Sequence, residues 1–342
     1  MENYGRIKFI KVITIIKTYN SKEECMNSRY FGIDVGRSDV KCQYGPDEQD
    51  VLIFPSFVSG EKTRFLRSNN LMENLEVTID GRKYFVGELA REKDGSREFG
   101  SEKIRHQNTM ILLLTAIVAS PAAPDCGAIY PRICAGLPLN NYGIQADEFE
   151  SQLNGVFQVT IPGKSVEVRL SPDRSLAMQE GVGALMDMSH DEHGRRLKSN
   201  LLAGTIGLGD IGFKTVHIIK MVDGAYKDSY SGTLERLGVS NAFLNFYKRV
   251  SQQRGLKPNE AELEFRQNKN NTPELKDLAR EIEGALSMWW PDVTEFNQFY
   301  WVGGGAGVSK FFEKYQGLII PNSQTANARG FRKVAVAKLK QV

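Results

Sequence analysis

Two short stretches of the chain place an aspartate at the end of an apolar run and a glycine two residues later. They are Phe31 to Lys41 (FGIDVGRSDVK) and Thr205 to Thr215 (TIGLGDIGFKT). Such a run reads as a buried strand, and the glycine permits a tight turn whose backbone amides face outward toward an anion. Asp34 stands where a hydrated divalent cation would be held. Lys41, seven residues on, is placed to return on a second strand and meet phosphate. Asp210 repeats the arrangement, with Gly212, Lys214 and Thr215 behind it. One strand-Asp-x-Gly turn is common in ordinary hairpins; two, in two halves of one chain, suggest two lobes gripping one polyphosphate.

A third stretch, Tyr300 to Phe312 (YWVGGGAGVSKFF), predicts a strand, a glycine-rich turn and a helix from about Val308. Gly303, Gly304 and Gly305 let the backbone approach a base, ribose or phosphate, and a helix N-terminus behind them favours anions. The pattern is neither the dinucleotide GxGxxG fingerprint nor a GxxxxGK[ST] phosphate loop.

The elements that must position these residues follow from periodicity and turn chemistry. Further strands are predicted over Val40 to Tyr44, Val51 to Phe54, Leu75 to Ile79, Lys83 to Val86, Arg132 to Leu137, Phe157 to Ile161 and Val166 to Leu170. Asp80-Gly81, Pro162-Gly163 and Asp223-Gly224 supply turns. Helical patterns cover Glu102 to Ala119, Ala146 to Gly155, Ser175 to Met188, Leu234 to Arg254, Pro258 to Gln267, Thr272 to Trp289 and Thr325 to Lys340. Trp289-Trp290-Pro291 reads as a core corner, and His190 and His193 sit in a solvated charged loop.

A chain of 342 residues has room for about two domains with ample core. Hydrophobic residues at 41% and charged residues at 25% are those of an ordinary soluble globular protein. The formal charge of +3 demands neither nucleic acid nor an anionic membrane as a partner. Cys25, Cys42, Cys126 and Cys134 form no CxxC pair, which points to reduced thiols in a cytosolic protein and to no zinc site. The apolar run Met110 to Ser120 is too short to span a bilayer. Residues 1–28 (with KFIKVITIIKTY) read as an N-terminal extension, of which 1–25 lie upstream of Met26, the natural start before the first strand; the alternative is a membrane or partner-binding tail.

In chain order the parts run Asp-x-Gly…Lys, Gln179-Glu180-Gly181, Asp-x-Gly…Thr, GGGAG and a C-terminal ANARGF (Ala326 to Phe331). This order resembles the actin/hexokinase/chaperone ATPase superfamily and, within it, the bacterial actin-like plasmid-segregation proteins of the ParM group. The resemblance runs from about Tyr30 to the C-terminus. It implies an α/β, actin-like fold: two α/β lobes with ribonuclease H-like sheets around a nucleotide cleft. Lobe I would span 29–200 with an insertion at about 48–102, and lobe II 201–325 with an insertion at about 229–292. A C-terminal helix over 326–342 would return to lobe I.

The same resemblance implies ATP, or GTP, with Mg2+ as cofactors. Asp34, Gly36 and Lys41 match the first phosphate loop, and Asp210, Gly212 and Thr215 the second. Asp34 and Asp210 would hold the metal through water, and Gly303, Gly304 and Gly305 match the adenosine loop. Glu180 matches the residue that polarises the attacking water. On a single helix Gln179 would point about 100° away, so only one of the two can face the cleft. Arg37 stands where the family has a serine, with Ser38 following, and Phe213 and Lys214 replace small residues; Arg37 or Lys214 is expected to supply charge to the phosphates. The implied function is a cytoplasmic filament that assembles from copies of itself and segregates plasmid DNA through an adaptor protein bound to centromere DNA. Hydrolysis would drive its disassembly, with no direct DNA binding and no membrane. A small-molecule kinase and a non-polymerising regulatory or chaperone-like ATPase share the fold and remain open.

Overall fold

The computed structural model describes residues 30–60, 71–73, 75–91, 96–97, 107–197, 200–267 and 272–339. The readings made for residues 1–28, and the start of the helix predicted from Glu102, lie outside them. The chain opens with β1 (Tyr30–Val35), β2 (Asp39–Gln43), β3 (Val51–Pro55), β4 (Phe57–Gly60), β5 (Glu76–Ile79) and β6 (Arg82–Val86). It continues through the one-turn α1 (Glu88–Arg91), β7 (Ser96–Arg97), α2 (Gln107–Ala119), β8 (Cys126–Ile129), β9 (Arg132–Leu137) and α3 (Tyr142–Gln152). A hairpin of β10 (Gly155–Ile161) and β11 (Lys164–Leu170) precedes β12 (Ser175–Gln179) and α4 (Val182–Ser189). The second half carries β13 (Thr205–Ile211), β14 (Val216–Val222), β15 (Ala225–Tyr226) and β16 (Gly232–Leu234), then α5 (Val239–Arg254), α6 (Pro258–Gln267) and α7 (Pro273–Trp289). β17 (Gln298–Val302), β18 (Leu318–Ile319) and α8 (Ala326–Lys338) close it.

The lobe I sheet has the order β12-β9-β1-β2-β3, and the lobe II sheet β15-β14-β13-β17-β18 with β16 also on β14. Each is built the same way at its centre. β1 pairs antiparallel with β2 and parallel with β9, while β13 pairs antiparallel with β14 and parallel with β17. Parallel neighbours require crossovers, which the intervening helices and the inserted segments supply. β1 is buried at all six positions, as expected for a strand covered on both faces. α2 is buried almost all round and touches β1 and β10, so the apolar run that is too short for a membrane fills the space between two sheets.

Four expectations change. Val51–Pro55 is not part of the insertion: it pairs with β2, setting Phe54 against Val40 and Leu52 against Cys42, which puts those apolar side chains on the lobe I core. The insertion sheet, β7-β4-β6-β5-β10-β11-β8, begins at Phe57 and is completed by strands from 126–170. Ser175 to Met188 is not one helix. Ser175–Gln179 is a strand in parallel register with Ile133–Leu137, and Gly181, at φ +83°, makes the bend before α4. The long-range pairing overrides an apolar spacing that also fits a helix. Leu234 belongs to β16 opposite Val216, and α5 starts only after Gly238, since Arg236 at φ +60° breaks the helical path. Ala306–Phe311 forms a 3-10 segment in place of the helix expected at Val308.

Candidate functional site

A cleft lies between the lobes, about 1400 Å³ with its open mouth included. The turn between β1 and β2 brings Asp34, Gly36, Arg37, Ser38 and Lys41 to its wall, and the turn between β13 and β14 brings Asp210, Gly212, Lys214 and Thr215. In the first hairpin Asp34 stands directly across from Lys41, and Lys41 Nζ donates to Asp34 Oδ2 at 3.1 Å. Burial alone would lower the Lys41 pKa, but Asp34, Asp39 and Asp210 outweigh it and leave it raised. The ammonium is therefore held charged.

In the second hairpin Asp210 stands across from His217, and Gly212 N–H closes the turn on the Thr215 carbonyl at 2.9 Å. Asp210 is 5% exposed. Its pKa is raised, first by burial and further by Asp34 and Glu180, while His217 and the Asn327 amide oppose the shift. Lys214 titrates low because of burial and the nearby Arg37 and Arg236, with Glu235 opposing. Arg37 and Lys214 thus lie close enough at the cleft for their charges to interact.

Glu180 reaches the cleft from the bend between β12 and α4, where its N–H is fixed by the Leu137 carbonyl at 2.8 Å. Its Oε2 lies 3.2 Å from His217 Nε2, and His217 Nδ1 lies 2.9 Å from Thr233 Oγ1. With Glu180 ionised, Nε2 carries the proton between the two groups. Gln179, the last residue of β12, is not among the cleft-lining residues. A bend, and not the 100° turn of a helix, separates it from Glu180.

Gly303, Gly304 and Gly305 leave the end of β17 and line the cleft beside the second hairpin, Gly305 N–H donating to the Ile211 carbonyl at 2.8 Å. Val239 and Phe243 of α5 and Phe265 of α6 form an apolar wall nearby, the two rings meeting edge to face with centroids 5.7 Å apart. Glu235, Glu262 and Arg266 also line the cleft.

The structure thus gathers Asp34, Gly36, Arg37, Ser38, Lys41, Glu180, Asp210, Gly212, Lys214, Thr215 and the three glycines in one space. Sequence reasoning missed His217, Asn327, Phe243 and Phe265. His217 carried a signal, since it follows Asp210 by the same seven residues as Lys41 follows Asp34. Asn327 lies inside the ANARGF block, whose sequence gives no sign of a polar contact with the cleft. The two phenylalanines gave no signal beyond helical spacing.

The family model of the actin-like protein N-terminal domain matches residues 32–183. No curated protein matches the chain. Among solved structures, a ParM from Clostridium botulinum in a 15-stranded filament is 23% identical with a TM-score of 0.73, covering 90% of this chain and 99% of that one. An archaeal actin homologue in complex with ADP is 19% identical with a TM-score of 0.70, covering 89% of this chain and 98% of that one. ParM from Bacillus thuringiensis with ATP is 15% identical with a TM-score of 0.66, over 92% and 98%. The chain has the actin-like fold, and residues 32–183 are similar to the N-terminal domain of actin-like proteins.

Proposed function

We propose that the chain is a Mg2+-dependent ATPase, or GTPase, that assembles into actin-like filaments and moves plasmid DNA through an adaptor. The observation that carries this reading is the pair of opposed Asp-x-Gly hairpins with Lys41 and Glu180 in the same cleft. The residues fit a metal–nucleotide complex. Two carboxylates buried to 6% and 5% exposure face one space, and a cation between them would relieve the cost that raises the Asp210 pKa. Among the described residues no three His, Cys, Asp or Glu side chains converge as metal ligands. That suits an ion whose shell comes mostly from phosphate and water, the usual habit of Mg2+.

Phosphoryl transfer needs positioning and charge neutralisation more than covalent help. Lys41 and the turn amides of both hairpins would hold the phosphates, Asp34 and Asp210 would hold the metal's water, and the bound metal would neutralise developing charge. Glu180, steadied by His217, would orient the attacking water. The apolar wall of Val239, Phe243 and Phe265 is suited to a nucleobase. Self-assembly is supported by the filament formed by the Clostridium botulinum ParM. No helix among the described residues is long and apolar enough to cross a membrane, and the small net charge favours an adaptor over direct DNA contact.

Right-angle light scattering on adding ATP or GTP with Mg2+, repeated with Glu180→Gln, tests the reading. The expected result is a rise above a critical concentration followed by decay, with hydrolysis in the variant slowed about 10²–10⁴-fold and its decay delayed. Nucleotide binding without a rise would leave a non-polymerising ATPase. Phosphate transfer to a small molecule would make the protein a kinase.

A further inference from the structure

The lobes meet where α8, packed on β1 and β9 of the lobe I sheet, crosses α4. The α4 helix packs on β13 and β14 of the lobe II sheet, in place of the lobe I sheet that its position before residue 200 implied. A side-chain carbon at Gly330 would fall on the Gly183 carbonyl, so the two helices touch backbone to backbone. About one turn before that crossing, Asn327, only 7% exposed, turns its side chain into the interlobe core. Its Oδ1 accepts the N–H groups of Gly181 at 3.0 Å and Ala184 at 3.1 Å. Gly181, at the start of α4, has no side chain to cap the helix, and Asn327 caps it from a neighbouring element. The Nδ2 group donates to Asp210 Oδ2 at 2.6 Å. Two backbone donors and one carboxylate acceptor fix which way the amide points. One side chain therefore ties α8 to the bend that carries Glu180, the start of α4 and the carboxylate of the second Asp-x-Gly hairpin.

We infer that Asn327 is a positioning residue for hydrolysis: its amide holds Asp210 and the Glu180–Gly181 bend in one register, so that lobe orientation and alignment of the attacking water are set together. The inference rests on the roles proposed above for Glu180 and Asp210. Its physical basis is geometric. Asn327 moves with α8, so a rotation of the lobes about the α4–α8 crossing must either release the Gly181 N–H or pull Asp210 from its place. Misplacement of a reacting group by about 1 Å is enough to cost about 100-fold in rate.

A purely structural role would lie in capping α4, and Asn327→Asp separates the two roles. An aspartate still accepts from Gly181 and Ala184 and is a good cap, but it sets a second carboxylate against Asp210 and, ionised, cannot donate to it. The experiment compares wild type, Asn327→Asp, Glu180→Gln and the double variant by thermal melting, affinity for a fluorescent ATP analogue, and single-turnover hydrolysis. For Asn327→Asp the expected results are a melting temperature no more than about 10 °C below wild type, since the new carboxylate faces Asp210, and an affinity within about threefold, with hydrolysis about 100-fold slower. The double variant should be no slower than the slower single variant, because the groups act as one unit. Wild-type hydrolysis in Asn327→Asp, or losses that add in the double variant, would overturn the inference and leave the site reading standing. A wild-type protein that binds no nucleotide, or a Glu180→Gln that hydrolyses normally, would overturn the reading and the inference with it. Should Asn327→Asp melt below the assay temperature, Asn327→Ala, which adds no charge, takes its place; loss of fold in both would make the residue structural and overturn the inference.

Discussion

The β1–β2 and β13–β14 hairpins are built to one plan and hold their carboxylates by different means. In each, an aspartate stands next to last in the first strand, a glycine follows two residues later, and the residue seven positions on stands directly across the ladder. In the first hairpin that residue is Lys41, and it pairs with its own Asp34. In the second it is His217, whose Nε2 contacts Glu180, while Asp210 takes a neutral amide from α8. The first hairpin is thus a local unit whose charge is ready to meet phosphate. The second is wired outward, to the bend that carries Glu180 and to the hinge. On the function proposed above, the difference would assign nucleotide binding mainly to the first hairpin and the chemistry of hydrolysis mainly to the second.

Exchanging the cross-strand residue in each hairpin tests that division most sharply. Lys41→Met should lower nucleotide affinity about 100-fold, which is about 2.7 kcal/mol. It should also destabilise the fold by about 3 kcal/mol, because it strands a buried Asp34 carboxylate. Nucleotide titration and denaturant unfolding check the two effects. His217→Leu should act on the other parameter. With its steadying contact gone, Glu180 orients water less well, and kcat should fall about tenfold, or about 1.4 kcal/mol, with KM little changed. Steady-state kinetics on both variants decides the matter: if Lys41→Met lowers kcat alone, or His217→Leu raises KM alone, the hairpins do not divide the work in this way.

The same contrast explains what the sequence disclosed. Asp34, Gly36, Lys41, Asp210 and Gly212 were readable because a strand, a turn and a returning strand are local, and their residue types carry their reason with them. The wiring was not. Leu176, Val182 and Leu185 fit a helical period, and only pairing with β9, a distant strand, makes Ser175–Gln179 extended. Gly181 was the punctuation that a helical reading passed over, and with it went the true setting of Glu180. Asn327 donates to a residue 117 positions away, a relation that no window of sequence shows. The strand pairing of β3 with β2 was likewise hidden, since Val51–Pro55 reads as a polar insertion's first strand until its register places Phe54 opposite Val40.

The first hairpin is also tied to the other lobe through Arg266, and the size of that tie limits how local the hairpin can be. Arg266 of α6 donates from Nη2 to Ser38 Oγ at 3.3 Å, and its Nη1 lies 3.7 Å from Asp39 Oδ1. Glu262 on the same helix steadies the guanidinium, with Nε and Nη2 at 3.1 and 2.9 Å from its Oε1. The tie spans the two lobes, yet the arginine side chain is 31% exposed, so water and salt compete for both ends. A partly exposed pair of this kind is worth about 0.2–1 kcal/mol. Arg266→Ala should therefore leave the unfolding midpoint almost unmoved and speed release of a fluorescent nucleotide about threefold, corresponding to about 0.65 kcal/mol. The difference from wild type should shrink as salt is raised, because the contact it removes is screened. Release that is equally fast in both proteins at low salt would mean that the first hairpin holds nucleotide without help from the opposite lobe. Release faster by tenfold or more would mean that the interlobe tie, and not the local Lys41 charge, governs how long the nucleotide stays.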